Sequence, residues 1–97
     1  MKLHPGKEAE YQRRHERLWP ELETLLKATG IREYSIFLDE ETHILFGVLR
    51  IDDPQKLDNL PGEAVMKKWW DYMKDLMDTH PDHSPVSQPL REVFYLA

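Results

Sequence analysis

The strongest constraint on the fold is a pair of strand-like segments in the middle of the chain. Tyr34, Ile36 and Leu38 lie at alternate positions, which is the two-residue period of a half-buried strand. The polar connection Glu40-Glu41-Thr42 leads into a second segment, His43 to Ile51, which is apolar at nearly every position. We therefore predict an antiparallel hairpin whose second strand is buried on both faces.

Two helices are predicted ahead of this hairpin. The segment from Lys7 to Arg17 places Tyr11 and His15 one turn apart on a single helical face. Pro20 lacks the amide that a helix interior needs, but it suits a first helical position. A second helix is therefore predicted to begin at Pro20 and to end at Gly30.

After the hairpin, the sequence predicts a short helix, a long helix and a terminal strand. Asp53-Pro54 signals a short helix that ends near Leu60, where Pro61-Gly62 breaks it. The segment from Glu63 to about Asp78 is strongly amphipathic, as expected for a long surface helix. A proline-rich loop from His80 to Pro89 then precedes a β-branched and aromatic strand from Arg91 to Leu96.

The order of these elements indicates the fold class. Met1-Lys2-Leu3 resembles the tail of a strand. With the helix that restarts at Pro20 counted together with the one before it, and the short helix left aside, the order is strand, helix, strand, strand, helix, strand. This order predicts an α+β fold of the ferredoxin-like βαββαβ type, with an antiparallel sheet and helices on one face. The open face needs a cover, and a second copy packed sheet to sheet is the usual one. We expect residues 1–97 to form a single domain and two copies to form a homodimer.

Composition makes several classes of partner improbable. With 18 acidic and 13 basic residues, the formal net charge of -5 repels nucleic acid and anionic membrane surfaces. The basic doublets Arg13-Arg14 and Lys67-Lys68 have acidic neighbours, so we predict a solvated face for each. The absence of cysteine excludes thiol catalysis and disulfides. The longest apolar run, Ile44 to Leu49, is shorter than the ~20 residues of a membrane span, and Met1 to Leu3 cannot hold a signal-peptide core, so a soluble, unexported protein is expected.

Five side chains are candidates for a functional site. Tyr11 and His15 would face the same point, and histidine exchanges protons near neutrality because its ordinary pKa is about 6.5. The alternative is a hydrogen-bonded core histidine. Trp69 and Trp70 suit packing against the C–H faces of a sugar, or else they serve as one core and one interface tryptophan. Tyr34, taken alone, is an ordinary strand aromatic.

Other motifs give weaker signals. His80-Pro81-Asp82-His83 holds two imidazoles and a carboxylate, but its prolines oppose a helix and no third strong ligand is evident. We therefore expect no metal. The four glycines are dispersed along the chain, so no phosphate-binding loop and no nucleotide cofactor are expected.

Six blocks of sequence, spread over almost the whole chain, closely resemble the L-rhamnose mutarotase family. The Tyr-x-x-x-His helix, the double tryptophan and the terminal Val-Phe-Tyr-Leu strand are together highly specific in this order. The six blocks are Glu10–His15, Leu18–Leu22, Tyr34–Asp39, Trp69–Met73, Ser84–Val86 and Glu92–Leu96.

The resemblance implies a dimeric α+β barrel in the cytoplasm that interconverts the α and β anomers of L-rhamnose without metal or organic cofactor. His15 matches the family's proton donor, and Tyr11, Tyr34, Trp69 and Trp70 match its sugar-binding positions. We expect His15 to donate a proton to the ring oxygen of the sugar. A tyrosine or a bound water would relay the second proton.

The start of the chain departs from the family pattern. Family members carry a longer first strand, whereas this chain begins three residues ahead of His4-Pro5-Gly6. A largely truncated first strand has fewer backbone hydrogen bonds, so lower stability or weaker dimerisation is expected.

Alternatives for the mechanism and the function remain open at this point. Asp71 is a weaker candidate for the second proton transfer, because its helix position can face solvent. A similar barrel could oxidise a flat aromatic substrate without a cofactor. A non-catalytic sugar-binding or regulatory module would use the same tryptophans.

Overall fold

The computed structural model describes all 97 residues as an α+β arrangement. The predicted helices and hairpin are present in the predicted order, and none of the helices is both long and apolar enough to cross a bilayer. The elements in chain order are α1 (Glu8–Glu16), α2 (Pro20–Ala28), β1 (Ile31–Asp39), β2 (Ile44–Ile51), a 3₁₀ helix (Pro54–Gly62), α3 (Ala64–Met73) and a short 3₁₀ turn (Lys74–Leu76).

Helix α1 depends on its contacts with the rest of the chain. Glu8 and Glu10 lie in its first turn and basic residues lie in its last turn, so the charges complement the helix dipole. Its 9 residues are nevertheless too few for a stable isolated helix in water. Burial of Tyr11 supplies the missing stabilisation, and it also fixes which face of the helix points inward.

The hairpin turn is organised by one carboxylate. Asp39 accepts hydrogen bonds from the Glu41 amide at 3.1 Å and from the Thr42 hydroxyl at 2.9 Å. The amide of His43 donates to the Asp39 carbonyl at 2.8 Å, and His43 has a φ of 61°, in the left-handed region. This local network sets the register in which the two strands pair.

The hairpin covers the core with one face only. Ile36 and Leu38 pack against the buried cluster, whereas Phe37, Phe46 and Val48 lie on the opposite face and are exposed. The prediction that the second strand is buried on both faces is therefore wrong for this chain, since Val48 is 59% exposed. The continuous apolar pattern of this strand reflects an outer apolar face that the chain itself does not cover.

The core is one cluster shared by the helices, the hairpin and two short extended segments. It joins α1, α2, α3 and β2 to the extended residues near positions 3 and 77. Its members are Leu3, Tyr11, Leu22, Leu45, Trp69, Met73, Leu76 and Met77.

The first strand is present only as isolated bridges. Leu3 is bridged to Met77, where the His4 amide donates to the Leu76 carbonyl at 2.8 Å. This pairing explains why α3 ends at Met73 instead of near Asp78. The apolar stripe continues through residues 76 and 77, but their backbone turns out of the helix in order to pair with the first residues of the chain.

The last predicted strand, Arg91 to Leu96, does not form within this chain. Its residues have no regular structure, and Phe94 and Leu96 are exposed. A strand needs a neighbouring edge for its amides and carbonyls, and the sheet of this chain contains β1 and β2 alone. Two of the four predicted strands therefore form the sheet. The short helix also differs from its prediction, because the 3₁₀ helix continues through Pro61 to Gly62.

Replacing Leu22 by Ala should destabilise the fold by about 2–5 kcal/mol, because this fully buried side chain leaves a cavity in the shared core. Chemical denaturation measures the change in the free energy of unfolding. Glu23→Ala is the matched control on the exposed side of the same helix, and a change within about 0.5 kcal/mol is expected there. Equal effects of the two substitutions would contradict this description of the core.

Candidate active site

A cavity of about 1120 Å³ lies between the helices and the inner face of the hairpin. A smaller recess of about 80 Å³ shares most of its lining residues with this cavity, and its walls are mostly apolar. The structure brings all five predicted site residues to this recess. They are Tyr11, His15, Tyr34, Trp69 and Trp70.

The orientation of His15 is fixed by a backbone hydrogen bond. Its Nδ1 lies 3.0 Å from the Tyr11 carbonyl oxygen, and a carbonyl only accepts, so Nδ1 carries the hydrogen. The His15 ring also packs on the Tyr11 ring, with 4.4 Å between centroids. Nε2 is therefore the nitrogen that remains available to a ligand.

Burial determines the charge state of this imidazole. Desolvation lowers the pKa of His15 below its ordinary 6.5, and the hydrogen bond to the Tyr11 carbonyl offsets only part of that effect. The neutral form therefore predominates at pH 7. In that form Nε2 has a free lone pair and accepts a proton.

Two phenols share the recess with the imidazole. Burial raises the pKa of both Tyr11 and Tyr34, so both hydroxyls keep their protons at neutral pH. Tyr11 belongs to the core, whereas Tyr34 stands at the mouth of the site and is 44% exposed. The Tyr34 ring lies over β2 at Gly47, where an added Cβ would be 3.7 Å from the ring, an ordinary van der Waals distance. Both phenols can donate hydrogen bonds to a polar ligand.

The two tryptophans divide between core and cavity as their positions on the helical stripe predict. Trp69 is 5% exposed and meets the His15 ring edge-on, with centroids 5.5 Å apart and planes at 85°. Trp70 is half-buried and lines the same recess. One indole therefore anchors the helix while the other remains more accessible to a ligand.

Three residues behind the site were not singled out by sequence reasoning. Trp19 packs edge-on against Trp69 at 5.1 Å, and Tyr72 contacts both indoles. Arg14 is not on a solvated face as predicted, because its side chain is only 14% exposed. The spacing of Glu10 and Arg14, one helical turn apart, was the available signal, but it did not reveal partners 58 and 61 positions away.

Asp71 lies apart from the proton-transfer groups. Its carboxylate pairs with Lys74 at 2.9 Å and lies 3.7 Å from His83, and it does not line the cavity. The hydrogen bond from Lys74 holds the pKa of Asp71 below its usual range. In the proline-rich loop, Asp82 accepts hydrogen bonds from the amide and the hydroxyl of Ser84. Nowhere in the structure do three side chains of the metal-ligating types lie close enough together to hold one ion.

Together, fold and site define a small α+β protein whose aromatic recess holds a neutral histidine beside two phenols, an arrangement suited to proton transfer on a small polar ligand. The family model described as L-rhamnose mutarotase matches residues 1–96. The chain belongs to the L-rhamnose mutarotase family, as the resemblance in its sequence implied.

Similar proteins support this assignment over nearly the full length. An L-rhamnose mutarotase of Rhizobium meliloti (strain 1021) is 55% identical over 96 residues, which cover 99% of this chain and 92% of that protein. One from Yersinia pestis is 53% identical with the same coverage. The crystal structure of L-rhamnose mutarotase FA22100 from Formosa agariphila matches with a TM-score of 0.92 at 49% identity. That match covers 100% of this chain and 93% of the other.

The folded protein should titrate His15 with a midpoint below 6.5, because burial disfavours the imidazolium. Two-dimensional NMR of the ring protons measures this midpoint, and the urea-unfolded chain provides the ordinary value as a control. The unfolded state then binds this proton more tightly, so the contribution of His15 to the free energy of unfolding decreases as pH falls below about 6.5. A midpoint above 6.5 in the folded protein would refute the assigned environment.

Proposed function

We propose that this protein interconverts the α and β anomers of L-rhamnose by acid–base opening and closure of the pyranose ring. One observation carries the proposal: His15 lies in the recess, with Nδ1 donating to the Tyr11 carbonyl and Nε2 left to the ligand. Family membership supplies the sugar, because similar proteins carry the name L-rhamnose mutarotase.

Ring opening requires one proton to leave the anomeric hydroxyl and one to reach the ring oxygen. Neutral His15 takes the hydroxyl proton at Nε2. The electron pair left on the hydroxyl oxygen forms the aldehyde C=O bond, while the electron pair of the C1–ring-oxygen bond stays with the ring oxygen as that bond breaks. The imidazolium then donates its proton to that ring oxygen. Both oxygens are attached to C1, so one imidazole can serve each in turn. Donation to the ring oxygen is the role expected from the sequence, and the lowered pKa of His15 places proton acceptance before it.

Ring closure reverses these transfers on the other face of the aldehyde. After rotation about the C1–C2 bond, the chain hydroxyl returns its proton to Nε2 as its oxygen attacks C1. The carbonyl oxygen then takes that proton and becomes the anomeric hydroxyl of the opposite anomer. His15 ends neutral, so each turnover restores the protein to its starting state.

The aromatic residues hold the sugar while its ring is open. The indole of Trp70 packs against C–H faces of the sugar, and the phenols of Tyr11 and Tyr34 donate hydrogen bonds to its hydroxyls. Because both phenols remain protonated, they orient oxygens or relay protons, and neither supplies a phenolate base. The apolar wall includes Ile36 and Met66, which suits a deoxy sugar that carries a methyl group.

In the presence of the protein, saturating one anomeric proton of L-rhamnose should transfer saturation to the other. His15→Asn should lower this exchange rate by about 10²–10⁴-fold, the usual contribution of a positioned acid–base group. His83→Asn is the matched control: this residue lies outside the cavity, and asparagine tolerates its φ of 70°. Full exchange in His15→Asn would remove the imidazole from the mechanism. Binding of the sugar without exchange in the native protein would indicate a binding module. If the native protein showed neither binding nor exchange, the oxidative alternative would be favoured.

We also propose that residues 1–97 form one domain and that two copies of it form a homodimer in the cytoplasm. In this dimer the two chains complete the ferredoxin-like sheet as a dimeric α+β barrel. Two features support this part of the proposal. The outer hairpin face carries exposed Phe37, Phe46 and Val48, and the C-terminal segment exposes Val93 and Phe94. Apolar groups arranged in this way gain free energy when a partner covers them. The net charge of -5 disfavours nucleic acid or an anionic membrane as that partner.

Light scattering coupled to size exclusion should give twice the mass of one chain at micromolar concentration. Val48→Glu places a charge in the centre of the proposed interface and should shift the protein to a monomer. Lys56→Glu introduces the same side chain on the exposed 3₁₀ helix, and it should leave the mass unchanged. A native monomer, or a dimer that is unaffected by Val48→Glu, would contradict this interface.

A further inference from the structure

We propose that Arg14 is a positioning residue that ties α1 to the end of α3 and so sets the distance between the His15 imidazole and the Trp69 indole. The inference rests on the proposed function, since it gives Arg14 a part in the proton transfer of its neighbour. Arg14 itself does not line the cavity, so its effect reaches the ligand through other side chains.

The guanidinium makes three hydrogen bonds, one to the last turn of α3 and two to the short 3₁₀ turn that follows it. Nη1 donates to the Tyr72 carbonyl oxygen at 2.6 Å and to Asp75 Oδ1 at 3.0 Å, while Nη2 donates to Asp75 Oδ2 at 3.3 Å. A two-pronged contact to a carboxylate uses the planar fork of arginine, which the single ammonium of lysine does not reproduce. The contact therefore constrains both the distance and the angle between the two helices.

The same side chain is held from its own helix. Nε donates to Glu10 Oε2 at 3.3 Å, one turn earlier on α1. The Arg14 side chain, with hydrogen bonds to both helical segments, is only 14% exposed. The hydrogen bond from Arg14 is the main cause that holds the pKa of Asp75 below its usual range. Glu10 and Asp75 thus fix the guanidinium from opposite sides.

A series of ring contacts connects this clamp to the site. The guanidinium carbon lies 4.4 Å from the centroid of the Tyr72 ring, and that ring lies 5.7 Å from Trp69. Trp69 in turn meets His15 at 5.5 Å. Because Arg14 and His15 are neighbours on α1, helices α1 and α3 touch at two places. One is the ionic clamp, and the other is the contact between imidazole and indole.

This geometry matters for catalysis because proton transfer depends steeply on position. A displacement of about 1 Å in a reacting group can cost about 10²-fold in rate. A looser clamp would let α1 shift against α3, so Nε2 would move relative to a sugar held by the tryptophans. The expected signature is a loss in kcat that exceeds the change in KM.

The neighbouring arginine provides a matched control. Arg13 is 63% exposed and pairs with Glu10 within its own helix, without a contact to α3. Arg13→Gln therefore removes the same charge from the same helix but leaves the clamp intact. It should leave both kcat and KM unchanged.

The test compares Arg14→Gln, Arg14→Lys, Asp75→Asn and Arg13→Gln in the full-length protein. Anomer exchange at several L-rhamnose concentrations gives kcat and KM, and cross-relaxation between the His15 ring and the Trp69 indole protons reports their distance without any sugar. Arg14→Gln should lower kcat about 10–100-fold and weaken these cross-peaks. Arg14→Lys retains the charge but should show a smaller loss of the same kind. Asp75→Asn should do likewise, and the effect of combining it with Arg14→Gln should be less than additive.

Two results would overturn the inference. One is an unchanged kcat and unchanged cross-peaks in Arg14→Lys and Asp75→Asn. The other is a fall in kcat with unchanged cross-peaks, which would indicate a purely electrostatic influence. If Arg14→Gln does not fold, Arg14→Lys and Asp75→Asn still show whether the clamp sets kcat and the distance between the His15 and Trp69 rings. If the native protein shows no exchange of L-rhamnose, the proposed function fails, while the cross-peaks still decide whether Arg14 sets the distance.

Discussion

The burial of Trp69 is the contact on which the rest of this small structure depends. Its indole meets His15 from α1 on one side and Trp19 from the start of α2 on another, so three helices converge on one ring. Large aromatic side chains dominate the energetics of small cores. Here the same ring also forms a wall of the recess. The core and the site therefore share a side chain, and a change to Trp69 alters stability and ligand geometry together.

Local patterns in the sequence were sufficient for the helices and the hairpin. The Pro20 start and the alternating residues of β1 each express a rule that operates within a few positions. The errors occur where a distant residue decides the outcome. Helix α3 ends at Met73 because Leu3 pairs with Met77, and the segment near Phe94 lacks a strand partner in its own chain. The periodicity of the sequence shows neither the pairing of Leu3 with Met77 nor the missing strand partner near Phe94.

The candidate site was predictable to a similar extent. Helical spacing places Tyr11 beside His15, but it cannot bring Tyr34 from β1 or Trp69 from α3 to the same recess. Resemblance to a family grouped these residues, and the cavity explains physically how they meet. The ion pair between Arg14 and Asp75 was not predicted, because a charged doublet on a short helix usually faces solvent. Only the fold shows that one member reaches Asp75 on another element.

The exposed segment near the end of the sequence has a consequence for the aggregation of the single chain. The run from Val93 to Leu96 has the β-branched and aromatic composition of sequences that stack into aggregates when a strand edge is left open. Arg91 and Glu92 immediately precede it and Pro89 lies three residues before Glu92, and such residues oppose uncontrolled stacking. While this apolar segment is uncovered, these neighbours oppose its stacking with other chains. Slow synthesis at low copy number should therefore favour soluble protein over inclusion bodies.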